Sequence, residues 1–177
     1  LEKARGVKLM KTGPFDSTSG FVRLNHLHPP FNNVKARQAM LYILNNADYL
    51  NTIASNPKLQ KLCFSYFGCG VDMETDAGSE PYKGAKDLKK AEALMKEAGY
   101  NGEPITILHA TDHQYINPAN LVMIQQLRKA SFLKLDVQAM DWGAVVARRA
   151  KKEAPAQGGW NIFITGTTVL SSSSPMT

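Results

Sequence analysis

The sequence predicts an α/β domain in which helices and strands alternate around a mainly parallel or mixed sheet. Three observations carry this. From Asp87 onward the patterns run helix, strand, helix, strand, helix, strand. The strand segments "PITILHA", "LKLDVQAM" and "WNIFITG" are short and β-rich, while the segments between them place apolar residues at helical spacing. Strands joined through helices imply right-handed crossovers and parallel pairing. The chain has 177 residues, 44% hydrophobic and 20% charged, which suits one ordinary domain with a sizeable core.

Each element has a local reason. "VKLMKTG" and "GFVRLNHL" alternate with the β period. In the second, Phe21, Arg23, Asn25 and Leu27 share one face, and Val22, Leu24 and His26 the other. Pro29 and Pro30 are expected to end that strand and hold the chain extended. Asn32 or Asn33 then caps a helix whose apolar stripe is Ala36, Ala39, Met40, Ile43 and Leu44. Arg37 sits at the edge of the stripe, where its stem packs and its head reaches a carbonyl or carboxylate. "NNADYLNTIA" starts a second short helix, capped near Asn46. From about Ser55 to Gly84 the chain is irregular and holds both cysteines. A connection that long is functional or stapled. Asp87 caps a helix that runs to Ala98 and stops at Gly99. Asn117 and Pro118 read as the cap and first residue of a helix reaching about Ala130. "WGAVVARRAKK" is helical. After the last strand, the polar "TTVLSSSSPMT" has no evident partner element.

The net charge is +6. The basic residues are scattered or lie on helix faces such as "LKKAEALMKEAG" and "VVARRAKKEA", so nucleic acid is not expected as a partner. No apolar run approaches the ~20 residues of a membrane span. Residue 1 is Leu, and "LEKARGVKLM" reads as a helix end followed by a strand. We therefore expect residues 1–177 to be one domain excised from a longer chain, in which a missing signal peptide says nothing about compartment.

Metal and catalytic motifs are weak. His26 and His28 share a strand face, but no nearby Cys or Glu completes a ligand set. His109 and His113 straddle a strand end. Cys63 and Cys69 fit neither the C-x-x-C redox motif nor a zinc ribbon. No nucleophile elbow, phosphate loop or dinucleotide fingerprint is present, and Asp112 with His113 has no nucleophile to serve. No catalytic residue, metal or cofactor is expected. Sheets of this kind bind ligands beyond the carboxyl ends of their strands. That selects His109 to His113, Met140 to Trp142, and Gly166 onward. Physics alone stops at an α/β domain with a polar strand-end edge.

The motifs go further. "PPFNNVKARQAMLYILNNADYL" resembles the P-P-F-[DN]-[DN]-x-[KR]-x-R-Q-A pattern of the family 5 extracellular solute-binding proteins, the dipeptide, oligopeptide and nickel receptors of ABC importers. "KDLKKAEALMKEAGYNG", "NPANLVMIQQLRKASFLKLDVQAMDW" and "GGWNIFITG" resemble later family segments in the right order. The resemblance runs from about Gly20 to Gly166. It implies a periplasmic-binding-protein-like lobe, the second of two, with residues 167–177 leading toward the cleft. It further implies a peptide or other small polar solute, a first lobe of the same protein, an ABC permease and a periplasmic location, with no reaction performed. Position near the expected cleft rim marks His109, Thr111, Phe67, Trp142, Thr167, Thr168 and Ser174 as ligand-binding candidates. The oxidising compartment implies a Cys63–Cys69 disulfide. Gly68 and Gly70 would let the backbone turn back, and one ring of Phe64, Tyr66 and Phe67 would press onto the lobe.

Two departures stand out. Ser174, before Pro175, falls where the peptide receptors carry an acid for the ligand's amino terminus, and Thr167 falls where they carry Trp. A neutral hydroxyl does not balance an ammonium as a carboxylate does. A free amine is therefore not expected to be favoured, and modified peptides, opines and sugars fit as well. The competing reading is an intracellular α/β enzyme domain with a substrate or nucleotide site on the same strand ends. A purely structural domain would lack a solute-sized cleft.

Overall fold

The computed structural model describes residues 6, 8, 17–54 and 56–173. Four strands form one sheet in the order β1-β4-β2-β3: β1 Thr18–Leu24, β2 Ile105–Ala110, β3 Leu135–Met140 and β4 Ile162–Thr168. β2 pairs parallel with both β3 and β4, while β1 runs antiparallel to β4 at the edge. The crossovers are α5 (Ile116–Lys129) and α6 (Trp142–Arg149), as the alternation predicts. Every residue of β2 is buried, so both of its faces are covered, as expected for a central parallel strand. The N-terminal expectation of a strand at "VKLMKTG" lies outside the described residues.

A helical layer precedes this unit. α1 (Val34–Ile43) starts at Asn33, whose side chain accepts from Lys35 N at 2.9 Å. Its stripe of Ala36, Ala39, Met40 and Ile43 is buried against α4 (Leu88–Glu97), which presents Ala91 and Met95. Asp87 caps α4 by accepting from Lys90 N at 2.9 Å, and Gly99 at φ 86° follows the helix end. Arg37 donates to the Phe31 and Asn32 carbonyls, which ties the turn before α1 to the helix. α2 (Asn46–Ile53) is capped one residue earlier than expected, by Asn45, and packs on α5. There Gln126 is buried, accepts from Asn45 N and donates to Asp48.

Two local expectations change. The Pro29–Pro30 peptide is cis, and residues 29–32 form a turn instead of running extended. That turn is held from afar. Asn161 Nδ2 donates to the Pro29 carbonyl at 3.0 Å, Asn161 Oδ1 accepts from Thr106 N at 2.9 Å, and Asn25 N donates to the Asn161 carbonyl at 2.9 Å. The second change is at the other end of β4. Thr167 and Thr168 are not partnerless: they continue β4 and pair with Ser19 and Thr18 of β1.

Asn161 is 1% exposed, and its side chain answers two backbone groups, the buried Thr106 N–H and the carbonyl of the exposed Pro29. Asn161→Ala is expected to cost about 2 kcal/mol, because truncation leaves the buried Thr106 N–H without a partner and removes the bond that ties down the Pro29 carbonyl. Chemical denaturation followed by circular dichroism measures this, and a cost below about 0.5 kcal/mol would show that the network relaxes around the loss.

The long connection from residue 54 to residue 84 contains a 3-10 turn at Pro57–Leu59 and the short helix α3 (Glu80–Lys83). Cys63 and Cys69 are joined by a disulfide, with Cα atoms 5.8 Å apart. Gly68 and Gly70 on either side of Cys69 have φ 91° and 90°, backbone that glycine adopts freely. Of the three aromatic residues in the bridged loop, Phe64 does the anchoring: its ring meets Tyr82 of α3 edge-on at 6.0 Å. Burial raises the Tyr82 phenol above its ordinary range and lowers the Lys86 ammonium below its own. Lys86 answers with hydrogen bonds to the Leu41 and Tyr82 carbonyls.

Candidate functional site

The parallel strands β2, β3 and β4 all deliver their carboxyl ends to one edge of the sheet. At the end of β2, Thr111 N donates to the Met140 carbonyl at 3.0 Å and Thr111 Oγ1 donates to the same oxygen at 3.2 Å. The Thr111 hydroxyl is exposed and keeps lone pairs for a ligand donor. Asp112 Oδ1 accepts from Trp142 N at 2.7 Å, and Asp141 Oδ1 accepts from Ala144 N at 2.9 Å. Two carboxylates thus sit on the first turn of α6, where the helix dipole favours negative charge. They lock the position of Trp142, whose half-buried indole lies edge-on to the His113 ring at 5.2 Å. The Arg149 guanidinium is 5.9 Å from the indole centroid. Tyr115 adds an exposed ring 6.4 Å from His113.

His109 lies one layer behind this shelf. It is 8% exposed, and its Nε2 bonds Asn117 Oδ1 at 2.9 Å. Asn117 Nδ2 in turn donates to the Thr111 carbonyl at 2.9 Å. This corrects the helix start. Asn117 is not the cap of α5, because its side chain is spent on the strand end. His113 does the capping instead, with Nδ1 accepting from Tyr115 N and Ile116 N at 3.3 and 3.4 Å. The sequence reading of Asn117 as a cap gives way to a bridge between His109 and the Thr111 carbonyl, which depends on a histidine delivered by β2 that local spacing does not show. The capping by His113 and the ring of Tyr115 are not part of the sequence reading.

The second half of the edge is the exit of β4. Thr167 is half-buried and Thr168 exposed. Thr168 Oγ1 shares a hydrogen bond with Ser171 Oγ at 2.9 Å and accepts from Ser171 N at 3.3 Å, closing the 3-10 turn Leu170–Ser172. Phe67 is half-buried in the bridged loop, edge-on to Tyr66 at 5.1 Å, and the next residue, Gly68, lies against Val169. The structure therefore groups His109, Thr111 and Trp142 at the ends of β2 and β3, and sets Phe67 beside the exit of β4 that carries Thr167 and Thr168. Ser174 lies outside the described residues. Among the described residues no group of three or more metal-ligating side chains converges. His28 is occupied, its Nε2 donating to the Lys152 carbonyl at 2.8 Å.

An open α/β sheet with an aromatic and hydroxyl-bearing shelf beyond its parallel strand ends is the class of domain that takes a ligand at that edge. The chain belongs to the bacterial extracellular solute-binding proteins of family 5: residues 1–176 match the middle region of that family. It is 40% identical over 144 residues to y4tO of Sinorhizobium fredii, described as a probable peptide ABC transporter periplasmic-binding protein, covering 81% of this chain and 27% of that one. It is 30% identical over 174 residues to the glutathione-binding protein GsiB of Escherichia coli K12, covering 94% and 31%. Among solved structures it superposes on the periplasmic binding protein DppA of Helicobacter pylori, in complex with the peptide STSA, with TM-score 0.63 and 25% identity over 85% of this chain and 27% of that one. The chain thus spans less than a third of the length of these relatives. Among the described residues no helix is long and apolar enough to cross a membrane.

Proposed function

We propose that this chain is one lobe of a bilobal receptor that captures a peptide or other small polar solute outside the cytoplasm, in the periplasm, and hands it to an ABC permease without chemical change. The observation that carries the reading is the shared strand-end edge, where Thr111, Trp142, Thr167 and Thr168 are held by backbone pairing and capping bonds. The y4tO and GsiB names support a peptide-type solute. Trp142 offers a flat apolar surface, the threonines offer hydroxyls, and Phe67 closes the side next to β4. His109 acts through Asn117 to fix the Thr111 carbonyl. A first lobe of the same protein would supply the opposite wall, and closure about a hinge would seal the solute between them. Mass spectrometry of the full-length receptor purified under mild conditions tests this. The expected result is a small solute released intact on unfolding. Turnover of that solute by the receptor would overturn the reading in favour of an enzyme.

The edge also bears on which peptides bind. Both carboxylates that reach it, Asp112 and Asp141, already hold the start of α6. With Ser174 in the position of the family's acid, neither of these carboxylates among the described residues is free of a backbone bond. N-acetylation of a dipeptide or tripeptide ligand is expected to change affinity for the full-length receptor by no more than about threefold, well under the 1.4 kcal/mol of a tenfold step. A peptide panel in free and acetylated forms measures it. A loss of a hundredfold would show that an acid elsewhere in the receptor holds the amine.

A further inference from the structure

Val169 is buried where its neighbours are not. It follows β4 between Thr168 and Leu170, both exposed, yet it is only 4% exposed itself. The bridged loop supplies part of its cover. A Cβ built on Gly68 would stand 3.0 Å from Val169 Cγ1 and 3.6 Å from Cγ2, so the Gly68 backbone lies directly on the isopropyl group. A Cβ there would push on the Val169 side chain, and φ 91° at the same position independently selects glycine.

What holds Gly68 in place is the question. Among the described residues no backbone-to-backbone hydrogen bond links residues 61–70 to any other element. The Cys63 end of the loop is moored to the helical layer. The Cys63 carbonyl accepts from Asn46 Nδ2 of α2 at 3.5 Å, the Phe64 ring meets Tyr82 of α3, and the Lys83 ammonium stands 5.7 Å from the Phe64 centroid. At the Cys69 end, Gly70 N donates to Glu74 at 2.7 Å inside the same connection, Val71 is buried, and among the described residues no backbone-to-backbone hydrogen bond ties residues 68–70 to another element. Tyr66, at the turn between the cysteines, is 82% exposed and fixes nothing beneath it. The disulfide is therefore the strut that joins the moored end to the segment lying on Val169.

We propose that the Cys63–Cys69 bridge is a clasp on the exit of β4, with Gly68 and Val169 as its contact, which adds to the β1 pairing and the Val169 N–Ser17 carbonyl bond in fixing Thr167 and Thr168. The clasp goes beyond solute capture. It rests on that reading only in treating the β4 exit as a ligand wall, since the coupling between bridge and strand end stands by itself. Cys63, Cys69, Gly68 and Val169 are positioning residues here and touch no solute.

Amide hydrogen exchange read by mass spectrometry tests the clasp without any ligand, so its outcome is independent of the receptor reading. The full-length protein is compared in three states: oxidised, reduced under native conditions with a phosphine, and as the Cys63→Ser/Cys69→Ser variant. Opening the bridge is expected to speed exchange in peptides covering residues 165–173 by about tenfold or more, with peptides covering β2 unchanged. Gly68→Ala, which leaves the bridge intact, should speed the same peptides, and adding Val169→Ala should restore part of the protection. Acceleration confined to residues 60–75 would overturn the proposal. If reduction accelerates β2 as well, the bridge supports the whole lobe, and unchanged exchange at 165–173 in Gly68→Ala would then overturn the clasp.

Discussion

Calorimetry is expected to find that this chain alone binds the receptor's solute at least about a thousandfold more weakly than the full-length protein, a difference of about 4 kcal/mol. The reason is geometric. Small-solute sites bury most of the ligand's surface, and a single open edge covers one side only. On this chain the edge offers the Thr111 hydroxyl, the Trp142 face and the β4 threonines, all facing outward from one sheet. A solute lying there keeps its other side in water, so its contacts are screened and the hydrogen bonds it makes compete with solvent. The second wall would remove that competition. It would also let the preformed edge repay the cost of immobilising the solute, which is paid in full whether one wall or two is present. The chain must be shown to be folded in the same buffer, by circular dichroism, for the comparison to count. Affinity within tenfold of the full-length value would mean that this lobe carries a complete site, and the two-wall reading would fall.

The elements that were legible in the sequence are those whose signals are local. Asp87 three residues before Lys90, with Gly99 after the last apolar position, states where α4 starts and stops without reference to anything else. The alternation after Asp87 gave the parallel pairing of β2 with β3 and β4. The parts that were not legible are set by partners far along the chain. The turn at Pro29 is tied to Asn161, 132 residues away, which no local pattern shows. Asn117 looks like a cap until His109 arrives from the strand. Thr167 and Thr168 look like a polar tail until β1 lies beside them, although threonine's preference for strands is a local signal for the continued pairing. Thr111 and Trp142 as candidates follow from the strand-end rule, which is a property of the fold. The disulfide was read only through the family resemblance, and the contact of Gly68 with Val169 has no local sequence signal.

Gly159→Ala is expected to be the most damaging single methyl that can be added to the described part of this chain. The segment after α6 turns through the 3-10 helix Pro155–Gln157, then Gly158 at φ 91°, and doubles back on itself before β4. Gly159 N donates to the Ala154 carbonyl at 3.0 Å, which presses its Cα onto the preceding residues. A Cβ there would stand 1.9 Å from the Glu153 carbonyl oxygen, 2.8 Å from the Glu153 carbonyl carbon and 2.9 Å from that of Ala154. All three are backbone atoms, so no side chain can swing aside and the turn itself must open. Opening it also breaks a cross-link. Arg148 of α6 donates through Nε to the Gly158 and Gly159 carbonyls at 3.0 and 3.2 Å, through Nη2 to Gly159 at 2.9 Å, and through Nη1 to the Gln138 side chain of β3. The neighbouring Gly158 makes the control. Its Cβ would meet only the flexible Lys151 Nζ at 3.6 Å, so Gly158→Ala carries the torsional strain of a positive φ and little else, about 1 kcal/mol. Gly159→Ala should cost about 3 kcal/mol, from overpacking against backbone and loss of the Arg148 bonds together. For a domain of this size that lowers the melting temperature by about 6–12 °C. Thermal unfolding of the two variants side by side decides it: a Gly159→Ala variant no less stable than Gly158→Ala would show that the turn yields cheaply and that the close approach to Glu153 does not constrain the fold.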